Sequence, residues 1–177
     1  MSSICYLSFS HIFEHTSASR CLHIFEQASA NRFNQTIKPG MLPSSLTHLS
    51  FNDFYSTPLI VDGLPKSLMH LKFGRLFNQP LDRGVLPISL TYLEFGHYYD
   101  QVLDQGVLPI SLTRLKFGEN YNQQIAVNVL PQNLDQLEFG HCFNQPLTAI
   151  SLPLSLVQLT FGYCFNQPLT TEWFRYL

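Results

Sequence analysis

Charge is scarce in this chain. Lys and Arg number 10 and Asp and Glu 12 in 177 residues, or 12% against the usual quarter. Asn, Gln, Ser and Thr make up the shortfall. The net charge of -2 and pI near 6.4 exclude the basic footprint by which proteins hold nucleic acid or an anionic membrane. No apolar run approaches the length needed to span a bilayer. The start, Met1-Ser2-Ser3-Ile4-Cys5-Tyr6, lacks the basic and apolar regions of a secretory signal. The 4 cysteines are therefore expected as thiols in a reducing, cytoplasmic (intracellular) setting. Enzyme motifs are missing too. There is no phosphate-cradling Gly-rich loop, no Gly-x-Ser-x-Gly elbow and no His-Glu-x-x-His pair, so neither catalysis nor a cofactor is expected.

What the chain does have is a period. Leu-Pro returns at Leu42-Pro43, Leu64-Pro65, Leu86-Pro87, Leu108-Pro109, Leu130-Pro131 and Leu152-Pro153, always 22 residues apart. A fixed period of this length marks a stacked array, because one unit cannot bury its own apolar face. An apolar fraction of 45% is ample for the core of one continuous array. In one copy Leu86 is followed by Leu90, Leu93, Phe95, Tyr99 and Leu103, and the same six apolar positions recur in the others. Leu-x-Phe has the two-residue period of a short strand with one buried face. Gly follows Phe at Gly74, Gly96, Gly118, Gly140 and Gly162, where a positive φ ending the strand is expected. Asp82-Arg83-Gly84 and Asp104-Gln105-Gly106 read as turns. The predicted fold is mainly β, a leucine-rich-repeat-like solenoid of 22-residue coils with one parallel strand per coil.

Stacking predicts ladders. Phe73, Phe95, Phe117 and Phe139 form an apolar spine, and Asn78, Asn122, Asn144 and Asn166 a polar one that satisfies the turning backbone. The outward column Lys72, Glu94, Lys116, Glu138 alternates in sign, as in-register neighbours favour. Its companion column, His48, His70, Tyr92, Arg114, Gln136 and Gln158, is the candidate surface for a protein partner, since repeat arrays bind along extended faces. His97, Glu119 and His141 share another column, and Cys142 and Cys164 the next. Zinc prefers such ligands, but neighbouring turn positions point in different directions, so structural turn residues are the expectation and no metal site is assigned.

The ends are less regular. Residues 1–41 read as divergent coils or a cap, 42–169 as six repeats and 170–177 as a C-terminal cap carrying Trp173. Ile4, Leu7 and Phe9 keep the strand spacing, and Phe33-Asn34-Gln35 falls in register with Phe77-Asn78-Gln79. Residues 14–32 fit either a divergent coil or a short helix over 19–30, where Leu22, Phe25 and Ala28 recur at helical spacing. An array open at both ends would allow end-to-end pairing of two copies wherever a cap is incomplete.

Leu-Pro-x-Ser-Leu-x-x-Leu-x-Phe-Gly-x-x-Phe-Asn-Gln-Pro-Leu resembles the FNIP repeat, a leucine-rich-repeat relative. Phe77-Asn78-Gln79-Pro80, Phe143-Asn144-Gln145-Pro146 and Phe165-Asn166-Gln167-Pro168 carry the naming motif. The pattern departs at Asn52, Ser56-Thr57, Val102 and Gln124, and locally looser coils are expected there. The resemblance implies a curved solenoid with a strand-lined inner face, in a family abundant in social amoebae and their giant viruses. The uniform array with its mixed polar and aromatic strand face is itself expected to be a non-enzymatic scaffold for protein interaction. Some members carry an N-terminal F-box that docks a ubiquitin ligase, which gives substrate-recognition adaptor as an alternative; residues 1–32 are short for one and show no convincing F-box. A metal-binding role for the His and Cys columns is the remaining alternative.

Overall fold

The computed structural model describes the backbone of residues 6–8 and the chain from 33 to 168. Residues 14–32, expected as a divergent coil or a short helix, and the C-terminal cap over 170–177 lie outside the described residues. Among the described residues, seven three-residue strands form one parallel sheet in chain order. They are β1 (Tyr6–Ser8), β2 (His48–Ser50), β3 (His70–Lys72), β4 (Tyr92–Glu94), β5 (Arg114–Lys116), β6 (Gln136–Glu138) and β7 (Gln158–Thr160). From β2 onward the register is the repeat period itself, with Leu71 opposite Leu93 and Lys72 opposite Glu94. Leu7 pairs with Leu49, so the apolar spacing near the N-terminus does mark a strand.

Three turns close each coil. Val85 N–H donates to the Asp82 carbonyl, Leu90 to Pro87 and Tyr99 to Gly96, and the same set recurs in the other coils. The first turn needs a positive φ at its third residue, as in a type II turn. Gly84 and Gly106 supply it at +81° and +82°, and Gly40, Asp62 and Asn128 supply it in their own coils. The next copy carries Ile150 there. A β-branched residue does not adopt that conformation, and the chain forms a 3-10 turn over Ala149–Ser151 instead.

The glycine column after Phe requires a correction. Gly74, Gly96, Gly118, Gly140 and Gly162 do not have positive φ. They are glycine because successive coils touch there. A Cβ on Gly118 would lie 1.8 Å from the Gly96 carbonyl oxygen, and one on Gly96 the same distance from that of Gly74. Asn52, at the head of this column, is not loose: it is 4% exposed, its Nδ2 donates to the Phe33 carbonyl, and its Oδ1 accepts from Phe54 N–H.

Inside, the columns are continuous. Phe73, Phe95, Phe117 and Phe139 stack at 5.3–5.7 Å between centroids. Each also stacks on the aromatic four residues later, as Phe95 does on Tyr99 at 3.8 Å. Full burial of side chains this size is worth ~1.5–3 kcal/mol each. A further buried column, Val85, Val107 and Val129, extends the six apolar positions read from the sequence.

Among the described residues the buried hydroxyls of Tyr55, Tyr99 and Tyr121 have no hydrogen-bond partner, and burial pushes each well above the usual phenol range. Phe77 and Phe143 occupy the same column with no such group. An unsatisfied buried hydroxyl costs ~1–3 kcal/mol. Tyr121→Phe is therefore expected to raise stability by ~1 kcal/mol in urea unfolding; a loss would show that the hydroxyl has a partner.

Candidate functional site

The strand face is built by alternation. In β4 Leu93 is buried, while Tyr92 and Glu94 on either side are half-exposed. Repeating this across the sheet sets two outward columns side by side. The column of Lys72, Glu94, Lys116 and Glu138 is paired within itself. Lys72 Nζ lies 3.0 Å from Glu94 Oε1, and Lys116 Nζ lies 2.8 Å from Glu138 Oε1. The hydrogen bond that Lys116 Nζ donates to the Glu138 carboxylate holds the ammonium above its ordinary pKa.

The other column holds the candidate partner residues His48, His70, Tyr92, Arg114, Gln136 and Gln158, brought together in one line by the register. The rings of His48 and His70 stack at 4.1 Å, and His70 stacks on Tyr92 at 5.6 Å. Tyr92 Oη donates to Glu94 Oε2 at 2.8 Å. Burial pushes the tyrosine hydroxyl upward, and the Glu94 hydrogen bond adds to this. Burial also lowers both histidines, with further lowering from His70 on His48 and from Arg114 on His70.

These shifts set a pH dependence. A histidine whose folded pKa lies below its unfolded value binds protons first in the unfolded chain. Stability is therefore full above about pH 6.5, the ordinary histidine pKa, and falls as pH drops through that value toward the folded pKa. Changing both His48 and His70 to Gln, the residue of Gln136 and Gln158 in the same column, is expected to flatten the slope of stability against pH between 7 and 5. An unchanged slope in urea titrations would contradict it.

A trough runs beside this face, where the glycine column contributes no side chains. It encloses about 570 Å³, with Gly96, Gly118 and Gly140 on its floor and Lys72, Glu94, Arg75 and His97 among its walls. Arg75 leans on Tyr98, its guanidinium carbon 5.5 Å from the ring centroid. Among the described residues, no group of three or more His, Cys, Asp or Glu side chains is placed to hold a metal ion. His141 stacks on Tyr163 at 5.4 Å, and Cys142 and Cys164 are free thiols, not a bridge.

The amide ladder is structural, with a simple logic. Asn78 Oδ1 accepts the Asp100 N–H, Asp100 Oδ1 that of Asn122, Asn122 Oδ1 that of Asn144, and Asn144 Oδ1 that of Asn166, all at 2.8–2.9 Å. Only an acceptor oxygen is needed, so Asp100 serves as well as Asn. Gln101 and Gln145 donate to the same oxygens from the following position. The serine of Leu-Pro-x-Ser belongs to a ladder that the sequence reading missed. Ser67, Ser89, Ser111 and Ser155 hydroxyls donate to Leu46, Leu68, Leu90 and Leu134 carbonyls at 2.6–2.7 Å. Its signal was in the repeat, a polar residue at a fixed place before each buried Leu.

Strands of three residues, coils of one length and continuous apolar columns define a leucine-rich-repeat-like solenoid. The FNIP repeat model matches residues 33–76, 55–98, 77–120, 99–142, 121–164 and 143–174, and the chain belongs to this repeat family. It is similar to the giant-virus protein CroV588, whose crystal structure is described as a novel circular LRR protein structure. The identity is 50% and the TM-score 0.76, over 78% of this chain. The chain spans 20% of that structure's length. No curated protein matches it. Among the described residues no helix is long and apolar enough to cross a membrane.

Proposed function

We propose that the chain is a non-enzymatic scaffold that binds a protein partner through its strand face, along the column His48, His70, Tyr92, Arg114, Gln136 and Gln158. The observation that carries this reading is the division of labour across each strand. The central leucines are consumed by the core, whereas a continuous line of aromatic, imidazole and guanidinium groups is left half-exposed or exposed on one side. Tyr and Arg are the side chains that most often dominate protein interfaces, and here they occupy adjacent coils in register. The test is affinity capture from an amoebal lysate with the wild-type chain and with Tyr92→Ala plus Arg114→Ala. A specific partner retained by the former and lost by the latter is expected. Partners that bind both alike would contradict the assignment of this face.

A further inference from the structure

Among the described residues the charges on the strand face are mostly spoken for. Lys72 pairs with Glu94 and Lys116 with Glu138. Arg114 is the exception. It is exposed at the middle of the sheet, between Tyr92 and Gln136, and makes no ion pair or hydrogen bond with its side chain among the described residues. Asp135, carried in the next coil by the hydrogen bond from its N–H to the Thr113 carbonyl, forms no ion pair with it.

Apolar surface lies close by in the chain. The turn before β4 exposes Ile88 at 81% and the turn before β5 exposes Ile110 at 60%. These turns are stacked by the same register, since Ser111 Oγ bonds the Leu90 carbonyl and Arg114 N–H bonds that of Thr91. The flanking copies carry polar Lys66 and Gln132 at this position. An unpaired guanidinium, four residues after exposed Ile110 and in the coil next to exposed Ile88, is therefore confined to two adjacent coils. A guanidinium fork matches a carboxylate, and aliphatic surface at its side matches an aliphatic or aromatic side chain.

We infer that these coils take a peptide segment of a partner protein that sets a carboxylate on Arg114 and an adjacent apolar side chain on Ile88 and Ile110. The inference rests on the strand face being the partner surface. It goes further in naming the chemistry recognised: acidic next to apolar, not basic and not purely polar.

The probe is a phage-displayed library of linear 12-residue peptides selected on the immobilised full chain, with affinities of selected synthetic peptides measured by fluorescence anisotropy. Asp or Glu beside Leu, Ile or Phe is expected to be enriched. Arg114→Gln should weaken a selected peptide at least tenfold, and Ile88→Ser with Ile110→Ser severalfold. Arg114→Lys should restore part of the loss. Changing the peptide's acid to its amide should cost affinity against wild type and nothing against Arg114→Gln. Thermal unfolding of each variant separates loss of binding from loss of fold.

Peptides that lose affinity with Tyr92→Ala but are indifferent to Arg114→Gln and carry no acid would overturn this inference and leave the strand-face reading intact. Selected peptides insensitive to every strand-face substitution, or no selected peptides at all, would overturn both.

Discussion

Gly96→Ala is expected to cost more than about 4 kcal/mol of stability, or to prevent folding. An added Cβ would lie 1.8 Å from the Gly74 carbonyl oxygen and 2.6 Å from its carbon. Neither atom belongs to a side chain that could rotate away. The Gly74 backbone is fixed on both sides, because Phe73 N–H bonds the Glu94 carbonyl and Tyr98 N–H bonds that of Arg75. Relief would require prising two coils apart, which breaks both ladders and opens the phenylalanine stack. Gly84→Ala is the control. There φ is +81° but nothing lies within 4 Å of the new Cβ, so only the left-handed backbone is penalised, by ~1–2 kcal/mol. Urea unfolding of the two variants decides between close approach and backbone conformation as the reason for glycine after Phe. Equal losses would contradict the close-approach account.

Phe95→Ala should cost ~3–5 kcal/mol. Phe95 is 3% exposed and touches rings on three sides, with Tyr99 at 3.8 Å, Phe73 at 5.7 Å and Phe117 at 5.5 Å. In a solenoid each coil is held by its neighbours, so a hole at this level weakens the coupling between the two halves of the array. Unfolding should broaden, and hydrogen exchange should rise in the coils on both sides of residue 95. Phe161→Ala offers the comparison. Phe161 is only half-buried, in the last described coil, and its loss should be smaller and local. Equal effects at the two sites would contradict nearest-neighbour stacking.

The spacing of Leu93 and Phe95 was enough to place the strand, and the sign alternation from Lys72 to Glu138 was enough to place coils in register. Both are visible because they repeat as residue types. The reason for Gly96 was not visible, because the clash it avoids lies with Gly74 in another coil, and one unit read alone offers only the backbone explanation. The Ser89 hydroxyl bond to Leu68 is hidden in the same way. Val85, Val107 and Val129 escaped because Met41, Gly63 and Ser151 stand at the same position elsewhere, and the residue type repeats only in the middle of the column. At the candidate site the line from His48 to Gln158 could be read off. That Lys72 and Lys116 are paired while Arg114 is not depends on side-chain distances that no spacing reveals.

The central claim is that strands one period apart are hydrogen-bonded neighbours. Scalar coupling across hydrogen bonds in a long-range HNCO experiment tests it directly. The account predicts cross-peaks from Phe73 N to the Glu94 carbonyl carbon, from Phe95 N to that of Lys116 and from Phe117 N to that of Glu138, where the donor–acceptor distances are 2.8–2.9 Å. Couplings from these nitrogens to carbonyls four residues earlier, as in a helix, would contradict it.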